Sequence, residues 1–285
     1  MSDGARHPLE RASRNRYRLM LTPALLLLVA FFVWPLLGMG GRSLFTDRLT
    51  LDNFGIIFTD PIYFYVIGIT FKMAAMVTII CVIVGYPLAY VLAHAPQRVR
   101  NILLIAVILP YFTSVIVRTY AWMVLLGREG LINQYLTTFG FPRADLLYNQ
   151  TGVLIGMTYV LLPLMILTLL AVMRGIDQRL ISAALSLGAG QWYAFCRIYL
   201  PLSLPGLAGG MLLVFILAVG FYITPALMGG TSDVTIAMLI QREVEITVNW
   251  SFASALAVVL LAVTLTAFAI YGRFIRLERL LKSGS

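Results

Sequence analysis

Six long apolar stretches, separated by short polar segments, dominate the pattern of residues along this chain of 285 residues. Each is about 20 residues or longer, which is the length an α-helix needs to cross the hydrocarbon core of a bilayer. Because lipid offers no partners to backbone N–H and C=O groups, each stretch is predicted to be a helix. The short segments of alternating polarity that mark a membrane β-barrel are not found. The predicted spans are Leu19–Gly41, Val66–Ala93, Ile102–Leu126, Gly152–Met173, Gly206–Met228 and Phe252–Tyr271.

This pattern predicts an all-α integral membrane protein with one membrane domain, residues 19–274, between two polar tails, residues 1–18 and 275–285. No cleavage site of the Ala-x-Ala kind follows the first apolar stretch. We therefore interpret that stretch as a retained first helix and not as a signal peptide.

Basic residues gather on alternate connections, which predicts the orientation of the helices. The N-terminal tail, the second-to-third connection, the fourth-to-fifth connection and the C-terminal tail all carry an excess of Arg and Lys, whereas the other loops are mixed. Basic excess marks the cytoplasmic side of a membrane protein. Both termini are therefore expected in the cytoplasm, which an even number of spans allows.

The composition agrees with a protein whose main solvent is lipid. The chain is 60% hydrophobic and 12% charged, with a mean hydropathy of +0.91, whereas soluble domains are about 25% charged. The net charge of +9 comes from short clusters between apolar runs and not from one binding face, so nucleic acid is not an expected partner. Cys81 and Cys196 give no disulfide framework.

Several classes of chemistry lack their residues. No Gly-x-x-x-x-Gly-Lys-Ser/Thr loop is present to hold ATP, and no His-Glu-x-x-His motif is present to hold a metal. No Asp or Glu lies well inside a predicted span, which disfavours a proton- or sodium-coupled carrier. An ion channel would need a filter or a ring of charges. A membrane enzyme, a channel and a secondary carrier are therefore disfavoured, although they are kept as rival classes. No catalytic residue, metal or cofactor is predicted in this chain.

Two cations lie in or near the apolar runs, Lys72 and Arg118. Charges at membrane depth are costly and often functional, so both are candidates for a substrate pathway. The alternatives are that Lys72 extends to the membrane surface and that Arg118 bonds to a neighbouring helix. The aromatic residues Tyr111, Trp122 and Tyr222 are further pathway candidates because their faces attract cations.

The connection at residues 174–205 is longer than a simple loop requires. Its first part predicts a short helix, Asp177–Leu187, with an apolar face at Leu180, Ala183, Ala184 and Leu187. Gly188 is placed to end this helix with a positive φ. A second short helix is predicted from Gln191 to just before Pro201. Such a pair could dock into a groove of a partner or rest on the lipid surface.

The same connection carries a specific motif, Ser182-Ala183-Ala184-x-x-x-Gly188, then nine residues, then Ile198-x-Leu200-Pro201. It resembles the cytoplasmic motif of the permeases of binding-protein-dependent ABC importers, although that motif usually opens with Glu where this chain has Ser182. The resemblance implies six transmembrane helices with a cytoplasmic coupling loop between helices 4 and 5, and these motif residues as the ATPase-coupling site. It also implies a bacterial inner-membrane location and four partners: two ATPase subunits that carry ATP and Mg²⁺, a second homologous permease and a soluble substrate-binding protein.

Within that family the chain is most similar to permeases of the spermidine/putrescine type. The resembling stretches are residues 51–54, 85–89, 118–122, 127–130 and 225–230. A polyamine is therefore the expected substrate. An opine, a phosphonate, another amine or an anionic solute are the alternatives, because Lys72 and Arg118 would repel a cation.

Overall fold

The computed structural model describes residues 22–45 and 50–282, and these residues form an all-helical fold. The predicted N-terminal tail, residues 1–18, lies outside the described part, whereas the predicted boundary at residue 274 falls inside a continuous helix. In chain order the helices are α1 (Thr22–Leu44), α2 (Asp52–Thr59), α3 (Pro61–His94), α4 (Gln97–Ile108), α5 (Val115–Leu126), α6 (Leu131–Thr138), α7 (Gln150–Met173), α8 (Gln178–Ser186), α9 (Gln191–Val219), α10 (Ile223–Met228), α11 (Ile236–Glu245) and α12 (Trp250–Lys282).

Five single helices within the described residues are long and apolar enough to cross a membrane: α1, α3, α7, α9 and the first part of α12. The third predicted span is different, because it is broken. Segments Gln97–Phe112 and Val115–Thr138 meet at an angle of 103°, and they add a sixth span only if the bent pair counts as one. A 3₁₀ turn at Leu109–Phe112 precedes the break, and Thr113 and Ser114 are extended. Pro110 within this turn lacks the N–H that a continuous helix needs.

Helices α3, α7 and α9 form the centre of the molecule. Their facing side chains make one buried cluster, whose fully enclosed members include Met73, Val77, Met157, Met165 and Val214. Glycines let the helices approach closely. A Cβ at Gly210 would lie 2.7 Å from the sulfur of Met165, and one at Gly206 would lie 2.8 Å from Cβ of Val172. Small residues at such crossings permit the close van der Waals packing that holds helices together in lipid.

The remaining long helices, α1 and α12, pack against each other, and α12 also contacts α9. Helix α12 contacts α1 and α11, and a second buried cluster of Ile57, Phe252 and Leu256 joins α2 to α12. At the start of α12, Asn53 Nδ2 donates to Ser251 Oγ over 2.9 Å, and Ser251 Oγ donates to the Arg42 carbonyl over 2.9 Å. These bonds fix the ends of α1, α2 and α12 together.

The fifth predicted span and the predicted second short helix have different bounds in the structure. One helix, α9, runs without interruption from Gln191 to Val219, so the prediction that a short helix ends before Pro201 is wrong. A π-turn at Phe195–Tyr199, in which the Leu200 N–H donates to the Phe195 carbonyl, widens the helix just before the proline. Such turns adjust the backbone inside helices, which lets Pro201 stay within α9. At the other end α9 stops at Val219, and the last part of the predicted span forms the separate helix α10, Ile223–Met228.

Candidate coupling surface and substrate pathway

Helix α8 is held by capping at both ends. At its start the side chain of Asp177 accepts a hydrogen bond from the Arg179 N–H over 2.9 Å. At its end the Gly188 and Ala189 N–H groups donate to the Leu185 and Ala184 carbonyls over 3.0 Å. Gly188 has φ +88°, in the left-handed region that glycine enters without steric cost. The predicted positive φ is therefore confirmed, and α8 is a defined helix with a fixed turn after it.

The surface around α8 exposes large apolar side chains. Leu187 is 88% exposed, Trp192 is 76% exposed and Tyr193 is 59% exposed. The motif residues Ser182 and Ala183 are exposed and Ala184 is half-buried. The Ser182 hydroxyl donates to the Gln178 carbonyl one turn earlier over 3.2 Å, so the residue that departs from the family motif is bonded within its own helix. We define the α8 surface as Ser182, Ala183, Ala184, Leu187, Gly188, Trp192 and Tyr193.

The second half of the motif lies elsewhere. Ile198, Leu200 and Pro201 are half-buried within α9 and are not part of the α8 surface. Between them, Tyr199 is fully enclosed. These three residues therefore shape the base of α9, from which the α8 surface projects.

An aromatic cluster that the sequence reasoning missed joins this base to the end of α3. The ring of Tyr90 lies 5.6 Å from that of Phe195 and 5.0 Å from that of Tyr199, in edge-to-face contact. The ring of His94 lies 5.4 Å from that of Tyr199. Nearby, the Tyr86 hydroxyl and Ser203 Oγ are 2.8 Å apart. The first turns of α9 are thus in direct contact with the end of α3.

The predicted pathway residues fall into separate places. Arg118 lies in the first turn of α5 and is only 7% exposed, and its Cζ is 5.7 Å from the centre of the Tyr111 ring. The side chain of Lys72 is exposed, and its Nζ donates to Gln150 Oε1 over 3.3 Å. Tyr222 is the residue before α10, a helix that packs against α5. The structure therefore brings Tyr111 and Arg118 into contact.

Trp122 lies one helical turn after Arg118, so the two residues share a face of α5. Its ring is 5.3 Å from that of Tyr159 on α7, in edge-to-face contact. This pair borders a cavity of about 360 Å³ between α3, α5 and α7. The cavity is lined by Ile80, Trp122, Thr151, Leu154, Ile155, Thr158 and Tyr159. Lys72 and Met76 precede Ile80 at four-residue spacing on α3, so Lys72 lies on the same face as the cavity wall. We call this space the aromatic cavity.

A tight contact holds α5, α7 and α10 in register beside this cavity. The hydroxyls of Thr119 and Thr224 are 3.3 Å apart, and Thr224 is fully buried. From α7, a Cβ at Gly156 would lie 2.6 Å from Cγ2 of the same Thr224 and 2.8 Å from the sulfur of Met228. A larger residue at this position would push these side chains aside, so Gly156 permits the close approach of α10 to α7.

Comparison with known proteins decides the family. Residues 85–279 match the model of the family described as "Binding-protein-dependent transport system inner membrane component". This chain belongs to that family. Its members are the permeases of ABC importers, so the chain is a membrane transport component and not itself a catalytic enzyme. The family works with ATPase and substrate-binding partners.

Two relatives and one solved structure describe the similarity further. The chain is 34% identical over 256 residues to the spermidine/putrescine transport system permease protein PotB of Haemophilus influenzae, covering 89% of this chain and 88% of the relative. It is 33% identical over 260 residues to PotB of Escherichia coli strain K12, covering 88% of this chain and 94% of the relative. The fold is similar to that of a bacterial alginate ABC transporter solved in complex with an alginate pentasaccharide-bound periplasmic protein. That match has a TM-score of 0.80 at 20% identity and covers 95% of this chain and 98% of the other.

Proposed function

We propose that this chain is a permease subunit of a polyamine importer and that spermidine or putrescine is the transported solute. The observation that carries this proposal is the similarity to PotB proteins, which extends over almost the whole length of both chains at 33–34% identity. The alternatives are importers of the same design for an opine, a phosphonate, another amine or an anionic solute.

The aromatic cavity is the proposed contact site for the amine during passage. Trp122 and Tyr159 present ring faces and edges beside an apolar wall, and an alkylammonium group over such a face gains about 0.5–2 kcal/mol. The methylene segments of a polyamine suit the aliphatic lining from Ile80, Leu154 and Ile155. Lys72 opposes a cation here, and its ammonium group donates to Gln150 Oε1.

The proposed complex contains this chain, a second homologous permease, two ATPase subunits that bind ATP and Mg²⁺, and a soluble binding protein. Both termini and the α8 surface are proposed to face the cytoplasm of a bacterial inner membrane, as the basic connections predict. In this arrangement the α8 surface docks into the ATPase. Closure of the ATPases on ATP then moves α8 and the base of α9, and the aromatic cluster passes the movement to α3. The packed helices rock between two states that the ligands stabilise differently.

Uptake in cells tests the function. A strain without its own polyamine uptake is supplied with all the proposed subunits and given radiolabelled spermidine. Uptake is expected to require this chain, and unlabelled putrescine is expected to compete, whereas an opine and a phosphonate are not. Competition by an opine or phosphonate, without competition by putrescine, would overturn the polyamine assignment and leave the family membership intact.

A tryptophan substitution tests the aromatic cavity. Trp122→Leu removes the ring, and loss of the cation–π gain is expected to reduce uptake by about 2- to 30-fold, with membrane abundance unchanged. Trp250→Leu is the matched control, because Trp250 is an exposed tryptophan at the start of α12, outside this cavity. Equal uptake by the two variants would show that the ring of Trp122 does not contact the solute.

A further inference from the structure

The N-terminal end of α5 lacks the usual capping. Ser114 occupies the N-cap position, but its side chain makes no capping hydrogen bond. The first N–H groups of any α-helix have no partner within the helix, and the helix dipole adds about half a positive charge at this end. In α5 this end follows the break after the Leu109–Phe112 turn, and the neighbouring Ser114, Ile116 and Val117 are exposed. It is therefore open to the surroundings of the chain.

A second, independent feature lies at the same place. Arg118 is in the first turn of α5 and is more than nine-tenths buried, and its Nε and Nη1 have no hydrogen-bond partner among the described residues. Its guanidinium is directed toward the break, because its Cζ lies 5.7 Å from the ring centre of Tyr111, which precedes the break. Helical side chains lean toward the N-terminus, which agrees with this direction. The cation–π contact attracts the charge but accepts no hydrogen bond in the plane of the guanidinium.

These two features are unfavourable together. A cation near a helix N-terminus opposes the dipole, and a buried guanidinium without acceptors loses the hydrogen bonds that it makes in water. One anion at the first turn of α5 removes both costs, because helix N–H groups and an arginine are the two donor sets that proteins use for anions. The planar fork of Arg matches the two oxygens of a carboxylate, as it matches those of a phosphate.

We propose that the N-terminal end of α5, with Arg118, is a carboxylate-binding site. The carboxylate comes either from a carboxylate-bearing solute or from an Asp or Glu side chain of a neighbouring subunit of the transporter. A polyamine cannot be this ligand because it is a cation, so the site goes beyond the proposed function. A bound carboxylate would also neutralise the charge of Arg118, one helical turn from Trp122, and would remove its repulsion of an amine in the aromatic cavity.

A carboxylate supplied by the chain itself tests the site. Ser114→Asp places an acidic side chain at the N-cap, and the melting temperature (Tm) of the purified, assembled transporter is expected to rise. The same substitution is then made in the Arg118→Gln background. If the new carboxylate only caps α5, Tm rises equally in both backgrounds. If it pairs with the guanidinium, Tm rises more when Arg118 is present. An equal shift in the two backgrounds would overturn the proposal, because only a carboxylate that meets the guanidinium makes the shift in Tm depend on Arg118.

Two further measurements identify the source of the carboxylate. Sodium acetate is compared with sodium chloride at equal ionic strength. If the source is a solute, acetate raises Tm and Arg118→Gln abolishes the rise. If the source is a subunit, acetate has no effect, and Arg118→Gln lowers both the Tm and the amount of second permease that co-purifies.

The control for both measurements is Arg128→Gln. Arg128 follows the other end of α5, and its Nε donates to Asp145 over 3.0 Å on the surface. This variant is expected to behave as wild type. If Arg118→Gln also behaves as wild type in both measurements, the proposal is wrong. None of these readouts depends on polyamine uptake, so the site and the proposed function can fail separately.

Discussion

Substitution of Gly188 provides a sharp test of the proposed coupling role of the α8 surface, because the cost of the substitution comes from the backbone alone. Gly188 has φ +88°, and a Cβ built on it would meet no atom within 4 Å. Gly188→Ala therefore causes no clash with neighbouring residues and costs about 1–2 kcal/mol, the penalty of an L-residue in the left-handed region. That energy reduces the population of the native turn by about 5- to 30-fold relative to its alternatives. Gly188→Val adds a β-branched side chain and is expected to cost more.

The matched control lies two residues away. Gly190 has φ −69° and ψ 154°, a region open to all residues, and a Cβ there also meets no atom within 4 Å. The assay is ATP hydrolysis by the transporter in lipid, stimulated by loaded binding protein. Gly188→Ala should lose most of the stimulation, Gly188→Val nearly all of it and Gly190→Ala little. Assembly of the helices should be unaffected because the turn is exposed. Equal stimulation of the Gly188→Ala and Gly190→Ala variants would refute the proposal that this turn positions the α8 surface for coupling.

Three other predictions follow from separate parts of the molecule. Gly156→Ala should lower the free energy of unfolding by about 1–3 kcal/mol, because the new Cβ would lie 2.6 Å from Thr224 Cγ2. The measurement is a thermal melt, and the control is Gly209→Ala, whose Cβ would make an ordinary contact of 3.6 Å. Val248→Gly should raise the free energy of unfolding by up to about 1–2 kcal/mol, since Val248 has φ 55° and is exposed; a lower Tm would contradict this reading. The third prediction concerns orientation and uses single cysteines in a background lacking Cys81 and Cys196. In intact cells, cysteines at Ser2 and Ser283 should be protected from an impermeant thiol reagent, and cysteines at Asp52 and Thr138 should react. Labelling of the termini would reverse the proposed orientation.

The spans were predictable from the sequence because hydrophobicity is a local property. The buried centre on α3 and α7 follows directly from the apolar stretches that contain Val77 and Met165. The turn at Gly188 was also predictable, since glycine after a short amphipathic helix marks a helix end. The break before α5 was not recognised, although Pro110 offered a signal.

Other features depend on contacts between distant parts of the chain, which no local pattern reports. Tyr159 joins Trp122 only because α5 and α7 pack side by side. Thr224 meets Thr119 across 105 residues of sequence. The continuation of α9 through Pro201 depends on the π-turn before it, and hydrophobic periodicity does not distinguish that turn from a helix end.

ATP-driven uptake into proteoliposomes tests the central claim most directly. The transporter assembled from this chain, the second permease and the ATPases is reconstituted in liposomes that enclose ATP and Mg²⁺, and binding protein loaded with radiolabelled spermidine is added outside. Spermidine should accumulate inside only when the liposomes contain ATP and the ATPase is active. Accumulation of equal size without ATP, or in liposomes that lack this chain, would contradict the conclusion that it forms the pathway of an ATP-driven polyamine importer.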